Sequence, residues 1–106
     1  RAVRLVVDTG IHTGKMTSEE AIKYYLSNIS DTEEGATAAI ERYMAIPGQA
    51  LGYKIGSLKI LELRAKYQKQ LGNKFNLAKF HDEILNQGCL PLSVLERKME
   101  LWAKKQ

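Results

Sequence analysis

The chain has 106 residues, 44% of them hydrophobic and 26% charged, the length and balance of one globular unit. It is too short for a barrel of alternating strands and helices, which takes about 250 residues, its apolar content is too high for disorder, and no apolar run nears the ~18 residues of a membrane span. Net charge is +4 but unevenly placed: residues 1–53 carry five Lys or Arg against seven Asp or Glu, and residues 54–106 carry eleven against five.

The opening segment, Arg1 to Gly10, admits two readings. Leu5-Val6-Val7-Asp8-Thr9-Gly10 matches the hydrophobic run before Asp-Thr-Gly at the active site of aspartic proteases, where two carboxylates share one proton. Those enzymes are β proteins, and everything after residue 17 reads as helix. Read instead as a helix closed by Gly10, the segment sets Arg4 and Asp8 at i,i+4 on one face, which predicts an Arg–Asp pair. Ile11, His12 and Thr13 then follow in a turn.

Five helices are expected after it. Thr17-Ser18-Glu19-Glu20 is a capping box, followed at helical spacing by Ala21, Tyr24, Tyr25 and Ile29. Asp31 with Glu34 offers a second start, followed by Ala36, Ile40, Tyr43 and Met44. Pro47 closes that helix and suits the first position of the next. The helix over 47–71 is the longest and ends at Gly72. Asn76 caps a fourth, with Phe80, Ile84 and Leu85 inward and Gly88 at its end. Pro91 opens a fifth, striped by Leu92, Leu95, Met99 and Trp102. The expected fold is therefore all-α, an antiparallel or orthogonal bundle of about five helices forming one domain over residues 1–106.

Two features point beyond these residues. The first segment starts with its apolar periodicity already under way. In the helix over 47–71, Leu51, Ile55, Leu58, Ile60, Leu61, Leu63 and Tyr67 spread around most of the circumference, and a helix apolar on nearly every side is buried on nearly every side. A further region packed against it is the expectation. Left uncovered, such a face predicts self-association.

Chemistry concentrates in two stretches. In Pro47-Gly48-Gln49-Ala50-Leu51-Gly52-Tyr53-Lys54-Ile55-Gly56 the glycines recur every four residues, a ridge without side chains that costs roughly 0.5–1 kcal/mol per interior glycine. A close helix crossing, or a substrate lying on the backbone, would offset that cost. Gln49 and Tyr53 flank the ridge with an amide and a phenol. Metal chemistry is not expected within the chain: His12 and His81 are the only histidines, Cys89 the only thiol, and none has ligand spacing with another. The cations of the basic half are spread out with no aromatic residues interleaved for base stacking, so nucleic acid is not an expected partner. An acidic protein partner is the alternative that this half suggests.

The blocks Arg1-Ala2-Val3-Arg4-Leu5-Val6-Val7-Asp8-Thr9-Gly10-Ile11-His12, Pro47 to Gly56, Phe80-His81-Asp82-Glu83-Ile84-Leu85 and Gly88-Cys89-Leu90-Pro91-Leu92 stand in an order that resembles the C-terminal end of the bacterial family of domain of unknown function 885. The resemblance runs along the whole chain. It implies a mostly helical, zincin-like metallopeptidase of several hundred residues, with zinc held by a His-Glu-x-x-His helix and a downstream glutamate helix that would lie before Arg1. It leaves periplasm and cytoplasm open. It also implies a peptide-like substrate and gives the unusual residues roles: Tyr53 and His12 as donors to a tetrahedral oxyanion, Gln49 holding substrate backbone, and Arg4 and Asp8 orienting the wall behind the metal or binding a substrate terminus. No metal ligand falls in this chain, and the expected role is a cleft-lining segment of a hydrolase, with a purely structural lid as the other reading.

Overall fold

Side-chain caps at Thr17, Thr32 and Asn76 open three of the helices in the computed structural model, which describes residues 1–106. The elements are α1 (Ala2–His12), α2 (Ser18–Asn28), α3 (Glu33–Ala45), α4 (Leu51–Leu71), α5 (Leu77–Leu85) and α6 (Leu92–Lys104), with a 3₁₀ turn at Gly72–Lys74 and no strand. The chain is all-α. It has six helices where about five were expected, because the opening segment is itself a helix.

The capping box at α2 is complete: Glu20 N donates to Thr17 Oγ1 at 3.2 Å, and Thr17 N donates to the Glu20 carboxylate at 2.8 Å. The Thr17 amide, helped by its hydroxyl, holds the Glu20 carboxyl below its ordinary pKa. Asn76 caps α5 by accepting from Lys79 N at 3.0 Å, and Pro91 stands before α6. One start moves by a residue. Thr32, not Asp31, caps α3, accepting from Gly35 N, while Asp31 accepts from Thr32 N and from the Tyr25 hydroxyl and so ties the end of α2 to the start of α3.

Two larger departures involve glycine. α1 does not stop at Gly10 but runs on to His12. A Cβ on Gly10 would stand 3.0 Å from Met16 Cβ, and the Gly10 carbonyl accepts from Lys15 N and Met16 N, so this glycine admits the returning chain against the helix. The expected helix over 47–71 begins later, at Leu51, after a turn over residues 47–50. Gly48 lies at φ +75°, the left-handed region, which a right-handed helix does not contain. The three glycines therefore form no common helical ridge. Only Gly52 and Gly56 lie in α4, and no atom from elsewhere in the chain comes within 4 Å of a Cβ placed on either.

The chain divides into two compact units, Arg1–Lys54 and Ile55–Gln106. In the first, α1, α2 and α3 pack on one another around the buried Val7, Ala21 and Ile40, with Val3, Ile11, Met16 and Tyr43 against them. In the second, Leu63 and Tyr67 of α4 share a core with Phe80 of α5 and Leu95, Met99 and Trp102 of α6. Trp102 meets Tyr67 and Phe80 edge-on, with ring centroids 6.1 Å from each. Leu85, expected inward, is exposed, and Phe80 and Ile84 carry the α5 contact. The neighbours of α4 within the unit cover one of its faces. Leu63 and Tyr67 are buried, whereas Ile55, Leu58 and Leu61 are each about half exposed, so the expected all-round burial of this helix is not met by these residues. No helix is long and apolar enough to cross a membrane.

Candidate functional site

The first unit gathers most of the candidate residues around α1. Because α1 continues past Gly10, Arg4, Asp8 and His12 fall at i, i+4 and i+8 and share a face. The turn over 47–50 meets that face. Asp8 is 1% exposed, and its Oδ1 accepts from Gly48 N at 3.0 Å and lies 2.8 Å from His12 Nδ1. The same ring nitrogen is 2.9 Å from the Asp8 carbonyl oxygen. On the other side of the ring, Nε2 is 3.4 Å from the Met44 carbonyl oxygen at the end of α3. One turn back, Arg4 Nη2 donates to Gln49 Oε1 at 2.7 Å, and its guanidinium lies over the Tyr43 ring, 4.5 Å from the centroid.

The expected Arg4–Asp8 pair is not made. Each residue has another partner: Arg4 takes Gln49 and Tyr43, and Asp8 takes His12 and Gly48. This leaves Arg4 Nε and Asp8 Oδ2 buried without hydrogen-bond partners, at a typical cost of about 1–3 kcal/mol for each such group. Orphaned polar atoms on one face of one helix are uncommon in a segment that only packs.

The His12 ring feels opposing influences. Partial burial works against its charged form, but hydrogen bonds to the Asp8 carbonyl, the Asp8 carboxylate and the Met44 carbonyl outweigh it and raise the pKa above the ordinary histidine value of 6.5. Tyr53, by contrast, stands apart from the cluster. It is 55% exposed, lies under the Arg1 guanidinium at 4.8 Å, and is joined to none of the other candidates by a hydrogen bond.

Three participants escaped the sequence reading: the Gly48 amide, the Met44 carbonyl and the Tyr43 ring. The Pro47-Gly48 dipeptide, a turn signal, was the available hint for the first. The other two depend on tertiary packing and have no local signature.

Asp8 and His12 are two potential ligands without a third. No group of three or more His, Cys, Asp or Glu side chains converges in the chain. Cys89 is free and exposed. In the basic second unit several cations have acidic partners nearby: Lys59 with Glu62 and Glu96, Lys98 with Glu83, and Lys104 with Glu100.

Comparison with known proteins places this architecture. The family described as bacterial protein of unknown function (DUF885) matches residues 1–99, and the chain belongs to that family. Among solved structures, the crystal structure of "the putative lipoprotein from Colwellia psychrerythraea" is similar, with 51% sequence identity and a TM-score of 0.89 over 99% of this chain. The chain spans 18% of the length of that protein. No curated protein matches it.

Proposed function

We propose that this chain is the C-terminal helical part of a metallopeptidase-like hydrolase and supplies a polar wall of its substrate cleft. The observation that carries the reading is the cluster on α1, where a buried carboxylate, a histidine, an arginine and a glutamine meet a left-handed glycine turn and leave two polar atoms unpartnered. In this reading His12 of the cluster, and Tyr53 from outside it, donate hydrogen bonds to an oxyanion, Gln49 and Arg4 engage substrate backbone or a terminal carboxylate, and Asp8 stands behind them. No residue of this chain is assigned to a metal. The zinc implied by the family resemblance would be held by residues outside these 106.

The whole protein's substrate is a peptide-like acyl compound in this proposal, and the test is made on the longer protein that carries the chain. Hydrolysis of a panel of peptides is compared between that protein and its Tyr53→Phe variant. Loss of one oxyanion donor lowers turnover by roughly 100-fold or more. An unchanged rate removes Tyr53 from the chemistry.

A further inference from the structure

We propose that Asp8 is a positioning residue: wedged between the His12 ring and the Gly48 amide, it orients the ring with Nδ1–H inward and presents Nε2–H as a hydrogen-bond donor to an anionic ligand oxygen. The identity of that oxygen, the tetrahedral oxyanion of an acyl substrate, rests on the hydrolase reading. The orientation of the ring does not.

The argument begins with which atoms surround the imidazole. Nδ1 faces two oxygens, the Asp8 carbonyl at 2.9 Å and Asp8 Oδ1 at 2.8 Å. A carbonyl accepts only, and an ionised carboxylate accepts only. The proton of the neutral ring therefore belongs on Nδ1, because a lone pair there would face two others. Nε2 faces a third acceptor, the Met44 carbonyl, at 3.4 Å. That separation exceeds the usual 2.7–3.2 Å of an N–H···O bond, so the contact is weak and exchangeable.

With acceptors at both nitrogens the ring gains from carrying its second proton. Asp8 on α1 is the titratable group facing it, α3 faces it with the Met44 carbonyl, and the 47–50 turn reaches the same Asp8 oxygen, Oδ1, through Gly48 N–H. The raised pKa of His12 agrees with this arrangement. A doubly protonated imidazole has no lone pair for a metal ion and cannot act as a base. It can donate. A ligand oxygen bearing negative charge makes a shorter, charge-assisted bond in place of the long contact to Met44.

Burial explains why the task falls to Asp8. At 1% exposure it cannot reach solvent-borne substrate freely, so its influence passes through the ring. Its second oxygen has no partner, which leaves His12 and Gly48 as the two donors that hold it. Both contacts fall on one oxygen, Oδ1, so the Gly48 amide fixes the position of the oxygen that in turn fixes the ring.

The test uses the 106-residue chain and needs no activity. Long-range proton–nitrogen NMR spectra report the ring tautomer and titration midpoint of each histidine; there are two, so His12→Gln assigns both, and His81 serves as the internal control. The expected result is a His12 midpoint above 6.5 and, at higher pH, a neutral ring protonated on Nδ1. Asp8→Asn shifts the midpoint down and leaves His81 unmoved. A neutral ring protonated on Nε2, or a midpoint that ignores Asp8→Asn, overturns the proposal. A wild-type ring protonated on Nε2 overturns the proposal whatever the variants do; one protonated on Nδ1 is credited to the carboxylate rather than to the Asp8 carbonyl by the fall in midpoint with Asp8→Asn, or with Asp8→Ser should Asp8→Asn fail to fold. In the longer protein, Asp8→Asn lowers kcat more than it raises KM and moves the alkaline limb of the rate profile to lower pH. If the ring behaves as expected but His12→Gln leaves peptide hydrolysis unchanged, His12 is removed from the oxyanion; if the longer protein hydrolyses no peptide, the hydrolase reading falls and the positioning of the ring by Asp8 stands.

Discussion

The carboxylate of Asp8 accepts a hydrogen bond from the backbone amide of Gly48, forty positions further along the chain, at 3.0 Å. This one bond joins α1 to the turn before α4 and is made possible by backbone that only glycine adopts without strain. Gly48 lies at φ +75°, with nothing within 4 Å of the site a Cβ would occupy. Replacement by alanine therefore meets no clash, and its cost is conformational. Gly48→Ala is expected to destabilise the chain by about 1–2 kcal/mol, read from the midpoint of urea unfolding. An unchanged midpoint would show that the turn relaxes without loss.

His12 gives the first unit a pH dependence whose sign follows from its raised pKa. A basic group whose folded-state pKa exceeds its unfolded value binds its proton more tightly when folded. The stabilisation is complete below the ordinary value of 6.5 and is lost as pH rises through the higher folded value. Urea midpoints measured across that interval are expected to fall with rising pH in the wild-type chain. His12→Gln removes the slope.

The two faces of α4 make a matched pair for mutation. Leu63 is fully buried in the second unit, whereas Leu58 is 52% exposed. Leu63→Ala is expected to cost about 2–5 kcal/mol through lost transfer energy and a cavity. Leu58→Ala is expected to stay within about 0.5 kcal/mol. Comparable losses at both sites, measured by denaturant unfolding, would mean that the exposed face is covered in solution.

The α2 cap offers a local test. Thr17→Ala removes the acceptor for Glu20 N and is expected to cost about 1 kcal/mol. Because hydrogen bonding to Thr17 depresses the Glu20 pKa, the wild-type cap contributes above the ordinary carboxyl value of 4.5 and fades as pH falls through the lower folded value. Alanine keeps the Thr17 amide, the larger cause of that shift, so both midpoints should fall on acidification and their difference should shrink only by the share that the Thr17 hydroxyl contributes.

Much of this architecture was legible in the amino-acid order. The capping box at Thr17, the Asn76 cap and the glycine after Leu71 are local chemistry, written within four residues of where they act. The Leu95–Met99–Trp102 stripe is likewise a matter of spacing along one helix. These features depend on backbone geometry that any sequence carrying them would share, which is why the all-helical class and the family blocks could be read directly.

What tertiary structure alone decided is the pairing. Sequence spacing set Arg4 beside Asp8, but the fold joined Asp8 to His12 and Gly48 and gave Arg4 to Gln49 and Tyr43. The difference turns on two glycines read by their ordinary habits: Gly10 as a helix end and Gly48 as part of a ridge. Packing of Met16 against Gly10 lets α1 run one half-turn further, bringing His12 onto the face of Asp8, while a left-handed Gly48 aims its amide at the same carboxylate. A glycine signals freedom of backbone. Only its neighbours in space determine how that freedom is used.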